Sequence, residues 1–122
     1  MTASILAVDD SPSIRQMIKV VLGGAGHTII EAGDGAEGLA KAKSNAVHLV
    51  ITDLNMPVMN GLDMIKNLRG LPSVTGVPIL FLSTESDEGI KQQAKAAGAT
   101  GWITKPFKPE QLLAVVAKLT RE

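Results

Sequence analysis

The chain has 122 residues, with 12 Lys and Arg matched by 12 Asp and Glu and no cysteine. That length suits one domain with a sizeable core, while the balanced charge offers no broad basic field for nucleic acid or an anionic membrane. Disulfides, thiolate metal sites and cysteine nucleophiles are excluded together, and with no membrane-length apolar run or signal-peptide pattern the expected compartment is the cytoplasm.

Ser4-Ile5-Leu6-Ala7-Val8 predicts a first strand, and it ends in Asp9-Asp10. Ser11 is a fitting N-cap with Pro12 at the first helical position, followed by Ile14, Met17, Ile18, Val21 and Leu22 at helical intervals. The glycines of Gly23-Gly24-Ala25-Gly26 stop that helix. His27 and His48 precede predicted strands without a partner at ligand spacing, so they read as surface or loop residues rather than metal ligands. Thr28 to Ala32 predicts a second strand, and Asp34 with Glu37 makes a capping-box-like start to a helix reaching about Ser44.

Leu49-Val50-Ile51-Thr52 reads as a strand buried on both faces, with Asp53 where it should end. A loop with Asn55, Pro57, Asn60 and Gly61 leads to Leu62, Met64, Ile65 and Leu68 at helical spacing. Residues 78–82 predict a fourth strand, ending in Ser83-Thr84-Glu85. The helix expected over roughly 87–97 has an internal Gly89 and a thin stripe of Ile90, Ala94 and Ala97, so it is the element expected to move. Gly101-Trp102-Ile103-Thr104 predicts a fifth strand before Lys105-Pro106, and a last helix starts at Pro109 and presents Leu112, Leu113, Val116 and Leu119.

Regular alternation of strand and helix predicts an α/β fold, a doubly wound parallel sheet with helices on both faces. With five strands the expected order is the flavodoxin-like 2-1-3-4-5. The first and third strands are then neighbours, and Asp9, Asp10 and Asp53 converge at the switch point. Carboxylates about 5 Å apart repel by roughly 3 kcal/mol per pair at an effective dielectric near 20. A hard dication such as Mg²⁺ suits oxygen ligands without histidine or cysteine. The alternatives are that Asp53 caps a loop or helix, and that Asp9 and Asp10 are caps with one of them neutral. Ser83 and Lys105 end the fourth and fifth strands, adding a hydroxyl and an ammonium. Together these are the parts needed to receive a phosphoryl group and hold its oxygens.

Over nearly its whole length the sequence resembles the receiver domains of two-component response regulators. The matching motifs are Asp9-Asp10-Ser11, Thr52-Asp53 with Met56-Pro57 and Asn60-Gly61, Ser83-Thr84-Glu85, and Lys105-Pro106-Phe107. The resemblance implies that Asp53 takes phosphate from a phosphohistidine of a histidine kinase. It implies that Asp10, Asp53, the main-chain carbonyl of Asn55 and, through water, Asp9 hold Mg²⁺. The phosphate-binding and switch set becomes Ser83, Thr84, Trp102 and Lys105, with a cis Lys105-Pro106 bond. Trp102 departs from the family's usual Tyr or Phe, so a switch role and a packing role both stay open.

The expected organisation is a single receiver domain over 1–122 without an output module, monomeric, and not an enzyme beyond its own phosphoryl transfer and slow dephosphorylation. Output would be binding of a partner protein, with no nucleic acid or membrane partner. Asn55 and Glu85 resemble the pair in chemotaxis regulators of the CheY type, where they would tune dephosphorylation; that likeness implies a chemotaxis kinase upstream and the flagellar motor switch downstream. A phosphorelay intermediate, a phosphate sink and a receiver-like module that binds partners without phosphorylation are the alternatives.

Two rivals come from other classes. Gly33-Asp34-Gly35-Ala36-Glu37-Gly38 matches a dinucleotide fingerprint, with Asp53 at the distance of a ribose contact. Asp34 and Glu37, however, put negative charge where a pyrophosphate would sit. An aspartyl-phosphate phosphatase would need a second acid at position 55, where this chain has an amide.

Overall fold

The computed structural model describes residues 3–74, 76–84 and 88–120. In chain order the elements are β1 (Ser4–Val8), α1 (Pro12–Gly23), β2 (Thr28–Ala32), α2 (Gly35–Ser44), β3 (Leu49–Thr52) and α3 (Gly61–Arg69). A 3-10 turn (Pro72–Val74) then leads to β4 (Ile79–Ser83), α4 (Glu88–Ala97), β5 (Gly101–Thr104) and α5 (Pro109–Leu119). The five strands form one parallel sheet in the order β2-β1-β3-β4-β5. The expected fold class and strand order are both present.

Side chains alternate across a strand, so each inner strand feeds two cores. Leu6, Val8, Val50 and Phe81 point to one face, where they meet Ala42 of α2, Met64, Ile65 and Leu68 of α3, and Ala94 of α4. Ile5, Ala7, Leu49, Ile51, Leu80 and Leu82 point to the other, against Ile18 and Leu22 of α1 and Leu112 and Val116 of α5. Burying each large apolar side chain stabilises the fold by roughly 1.5–3 kcal/mol. The thin stripe of α4 is visible here, since Ala94 is its one buried residue.

Helix starts follow their side chains. Ser11 Oγ accepts the Ile14 N–H at 3.3 Å, and Asn60 Oδ1 accepts the Asp63 N–H at 2.8 Å. Asp34 Oδ1 accepts the Glu37 N–H at 2.8 Å while Glu37 Oε1 accepts the Gly33 N–H at 2.7 Å, which occupies the start of α2 with the chain's own carboxylates.

The glycines of the fingerprint-like run have packing roles. A Cβ on Gly35 would collide with the Met59 carbonyl, and one on Gly38 would crowd Val8 and Met64. This is close helix-to-sheet and helix-to-loop approach, and the same segment offers a pyrophosphate no vacant helix terminus.

Both histidines contact the first residues of the chain. His27 Nδ1 accepts the Ala3 N–H at 3.1 Å, and His48 Nδ1 accepts the Ser4 N–H at 2.9 Å. His48 also donates its own N–H to the Ser4 carbonyl at 2.8 Å. On the face of α3 and α4, the Arg69 guanidinium donates, among the described residues, to the carbonyls of Val74 at 3.0 Å, Val77 at 2.7 Å and Gly98 at 2.6 Å.

Candidate functional site

Val8 pairs with Thr52 across β1 and β3, so Asp9 and Asp53 leave neighbouring strand ends. The Asp53 N–H donates to the Val8 carbonyl at 2.9 Å, which carries the pairing one residue further. One carboxylate oxygen each from Asp9, Asp10 and Asp53 all lie within 4.8 Å of one another. Asp9 is buried, Asp53 half-buried and Asp10 exposed. The capping alternative finds little support. Ser11 caps α1, while Asp9 Oδ1 accepts the Ser11 N–H at 2.9 Å and turns the chain into that helix.

The ammonium comes from the edge strand of the sheet. Lys105 follows β5, its N–H donates to the Ser83 carbonyl at 2.8 Å, and the Lys105-Pro106 peptide bond is cis. Its Nζ lies 2.9 Å from Asp9 Oδ2 and 3.5 Å from Asp53 Oδ2, with 14% of the lysine side chain exposed. Burial pushes the Asp53 carboxyl up from its ordinary pKa; the Lys105 ammonium opposes this, the nearby Asp9 charge adds to it, and the Leu54 N–H, donating to Asp53 Oδ1 at 2.8 Å, opposes it.

Three carboxylates against one ammonium leave two negative charges in the pocket. A set of hard oxygen donors with that balance fits a small dication, and it fits poorly with softer metals that seek histidine or thiolate.

The other expected site residues occupy the same end of the sheet or its border. Ser83 is fully buried at the end of β4, in register with Thr104, and Thr84 beyond it is exposed. Trp102 is half-buried on β5, its ring centroid 5.3 Å from that of Phe81 at a 35° tilt. It also lines a cavity of about 270 Å³ with Lys91, Lys95 and Thr100. Asn55 is exposed in the loop after Asp53, and Glu85 lies outside the described residues.

That loop is braced at both ends. The Gly61 N–H donates to the Leu54 carbonyl at 2.8 Å and the Gly35 N–H to the Met59 carbonyl at 3.0 Å. A Cβ on Gly61 would collide with the Asp53 carbonyl, so glycine is what lets α3 start so close to the acidic pocket. Between the braces Val58 sits at φ +68° inside a γ-turn closed by the Met59 N–H on the Pro57 carbonyl at 2.7 Å, and it is 83% exposed. Positive φ is strained for a β-branched residue.

Two contributors escaped the sequence reading. Arg15 Nη1 donates to the Asp9 carbonyl at 2.6 Å. The strain at Val58 is the other. Neither leaves a trace in apolar periodicity, because one is a contact to main chain and the other a backbone angle.

The response regulator receiver domain family matches residues 5–117 of the chain. The DNA-binding response regulator MtrA of Mycolicibacterium smegmatis is 38% identical over 122 residues, 99% of this chain and 52% of MtrA, so the chain spans about half the length of that relative. Chemotaxis protein CheY1 of Helicobacter pylori is 39% identical over 110 residues, 88% of this chain and 89% of CheY1. The structure of chemotaxis response regulator CheY4 of Vibrio cholerae superposes with a TM-score of 0.93 at 46% identity, covering 98% of this chain and 99% of that one. With its five-stranded parallel sheet and acidic switch-point crevice, the chain belongs to the response regulator receiver domain family.

Proposed function

We propose that Asp53 is the phosphoacceptor of this receiver domain and that it takes its phosphoryl group from a phosphohistidine on a histidine kinase. The observation that carries the reading is the meeting of Asp9, Asp10 and Asp53 within 4.8 Å, with the Lys105 ammonium 3.5 Å from Asp53 Oδ2. Receiver domains are signalling phosphoacceptor modules, and the chemistry is a displacement. A carboxylate oxygen of Asp53 attacks phosphorus, the acyl phosphate P–O bond forms, and the phosphohistidine P–N bond breaks with its electron pair leaving on the imidazole.

Lys105 exchanges part of its pairing with Asp9 and Asp53 for the phosphoryl oxygens, and the Ser83 hydroxyl donates to another of them. Asp10, Asp53, the Asn55 carbonyl and, through water, Asp9 would hold Mg²⁺, which supplies charge neutralisation for the transferring group. Asn55 and Glu85 set access of water to the acyl phosphate and so its lifetime.

Incubation with Mg²⁺ and acetyl phosphate, followed by intact mass, tests the assignment. One added phosphoryl group is expected, absent from Asp53→Asn and absent in EDTA. An unmodified native chain, or a modified Asp53→Asn chain, sinks it.

For output, we propose phosphorylation-dependent protein binding at α4, β5 and α5, in chemotaxis. The likeness to CheY1 and CheY4 over most of both chains supports the chemotaxis reading, and the resemblance of Asn55 and Glu85 to CheY-type regulators makes a flagellar motor switch protein the expected partner. The likeness to MtrA supports a second reading, a receiver serving a DNA-binding regulator. Binding of the phosphorylated chain to purified motor switch protein separates them: the chemotaxis reading expects capture that depends on Asp53, and the second reading expects none.

A further inference from the structure

We infer that Arg15 is a positioning residue for the acidic pocket, acting through the main chain of Asp9. The inference rests on the proposed metal-dependent phosphoacceptor role. Arg15 Nη1 donates to the Asp9 carbonyl at 2.6 Å, and Arg15 Nε donates to Glu31 Oε1 of β2 at 3.3 Å. The guanidinium therefore bridges the residue just past β1 to β2 with its planar fork, and only about a fifth of its side chain is exposed.

What it holds is the hub of the pocket. The Asp9 peptide is gripped from three sides. Its N–H donates to the Ala32 carbonyl at 3.1 Å, its carbonyl accepts from Arg15, and its Oδ1 accepts the Ser11 N–H at 2.9 Å. The remaining oxygen, Oδ2, then faces the Lys105 ammonium at 2.9 Å. With backbone and one carboxylate oxygen fixed, the direction of Oδ2 toward the pocket is fixed as well. Arg15 touches no ligand oxygen of the carboxylates itself; it acts on the metal set by orienting one member. Partners hydrogen-bonded directly to a metal ligand change metal affinity by roughly 10–100-fold when removed; Arg15 acts one step further out, through the Asp9 main chain, so the effect expected of it is at the low end of that range.

Charge and position predict opposite signs, which makes the inference testable. Arg15 is a cation behind an acidic pocket, so deleting it on electrostatic grounds alone would tighten Mg²⁺ binding. Deleting an orienting group weakens it. Titration calorimetry with magnesium chloride, on the native chain and on Arg15→Ala, Arg15→Lys and Glu31→Gln, reads the difference. Urea unfolding in EDTA reports the stability of each variant separately.

Arg15→Ala is expected to weaken Mg²⁺ binding about tenfold. Arg15→Lys, which keeps the charge but reaches a single acceptor, falls between. Glu31→Gln keeps an oxygen acceptor for Nε, so the fork stays anchored and Mg²⁺ binding is expected to stay closer to native than in Arg15→Ala. Equal or tighter binding in Arg15→Ala overturns the inference, as does a loss in Glu31→Gln as large as that in Arg15→Ala. If Arg15→Ala fails to fold, native affinity in Arg15→Lys overturns it. A native chain that binds no Mg²⁺ removes the metal reading beneath, and this inference with it.

Discussion

Asp53 is a carboxylate kept partly out of water, and its burial outweighs the Lys105 ammonium in setting its protonation. Its pKa in the folded, metal-free chain therefore lies above the unfolded value. The folded state binds the extra proton between those two values, so the contribution of Asp53 to stability is present below the unfolded pKa and is lost as pH rises through the folded one. At neutral pH the ionised group opposes folding. Asp53→Asn is expected to be more stable than native at neutral pH in EDTA, with the advantage shrinking as pH falls; urea midpoints across pH measure it. Lys105→Met has the reverse effect. It strands the Asp9 carboxylate, only 3% exposed, and is expected to lower unfolding free energy by roughly 3 kcal/mol in EDTA, with part of the loss restored by Mg²⁺.

The loop between β3 and α3 carries strain at one residue and close packing at another. Val58 at φ +68° contributes little packing at 83% exposure, so replacing it with a residue that tolerates that angle should help. Val58→Asn is expected to raise unfolding free energy by about 1 kcal/mol, read from a higher urea midpoint at unchanged slope. Gly61→Ala works against the Asp53 carbonyl and is expected to destabilise by more than about 2 kcal/mol and to slow phosphorylation by acetyl phosphate. The elements around this loop were legible. Leu49, Val50 and Ile51 form an unbroken apolar run because both faces of β3 are covered, and the i, i+1, i+4 spacing of Met64, Ile65 and Leu68 marks the buried side of α3. Asp9, Asp53, Ser83 and Lys105 stood out because each is polar at the end of an apolar run. What was hidden leaves no mark in apolar periodicity: Arg15 meets the main chain of Asp9 just past β1 and a side chain on β2, and the γ-turn is a local backbone angle that valine's identity argues against.

At the scale of the whole chain, the acidic crevice lies at one end of the sheet, where Asp9 and Asp53 follow β1 and β3 and Ser83 ends β4, and the helices cover both faces. A ligand that binds only the folded state stabilises it by mass action. With Mg²⁺ at about 100 times its dissociation constant, native unfolding free energy is expected to rise by about 2.7 kcal/mol, and much less in Asp53→Asn; paired urea titrations check this. The opposite end is built differently. A neutral imidazole that accepts a main-chain N–H through Nδ1 must carry its own hydrogen on Nε2, so the neutral rings of His27 and His48 are each confined to one tautomer. Nitrogen-15 ring resonances of these two histidines consequently form an internal spectroscopic reference, remote from the crevice, against which the Trp102 indole signal with and without acetyl phosphate can be compared to separate a switch role from a packing role.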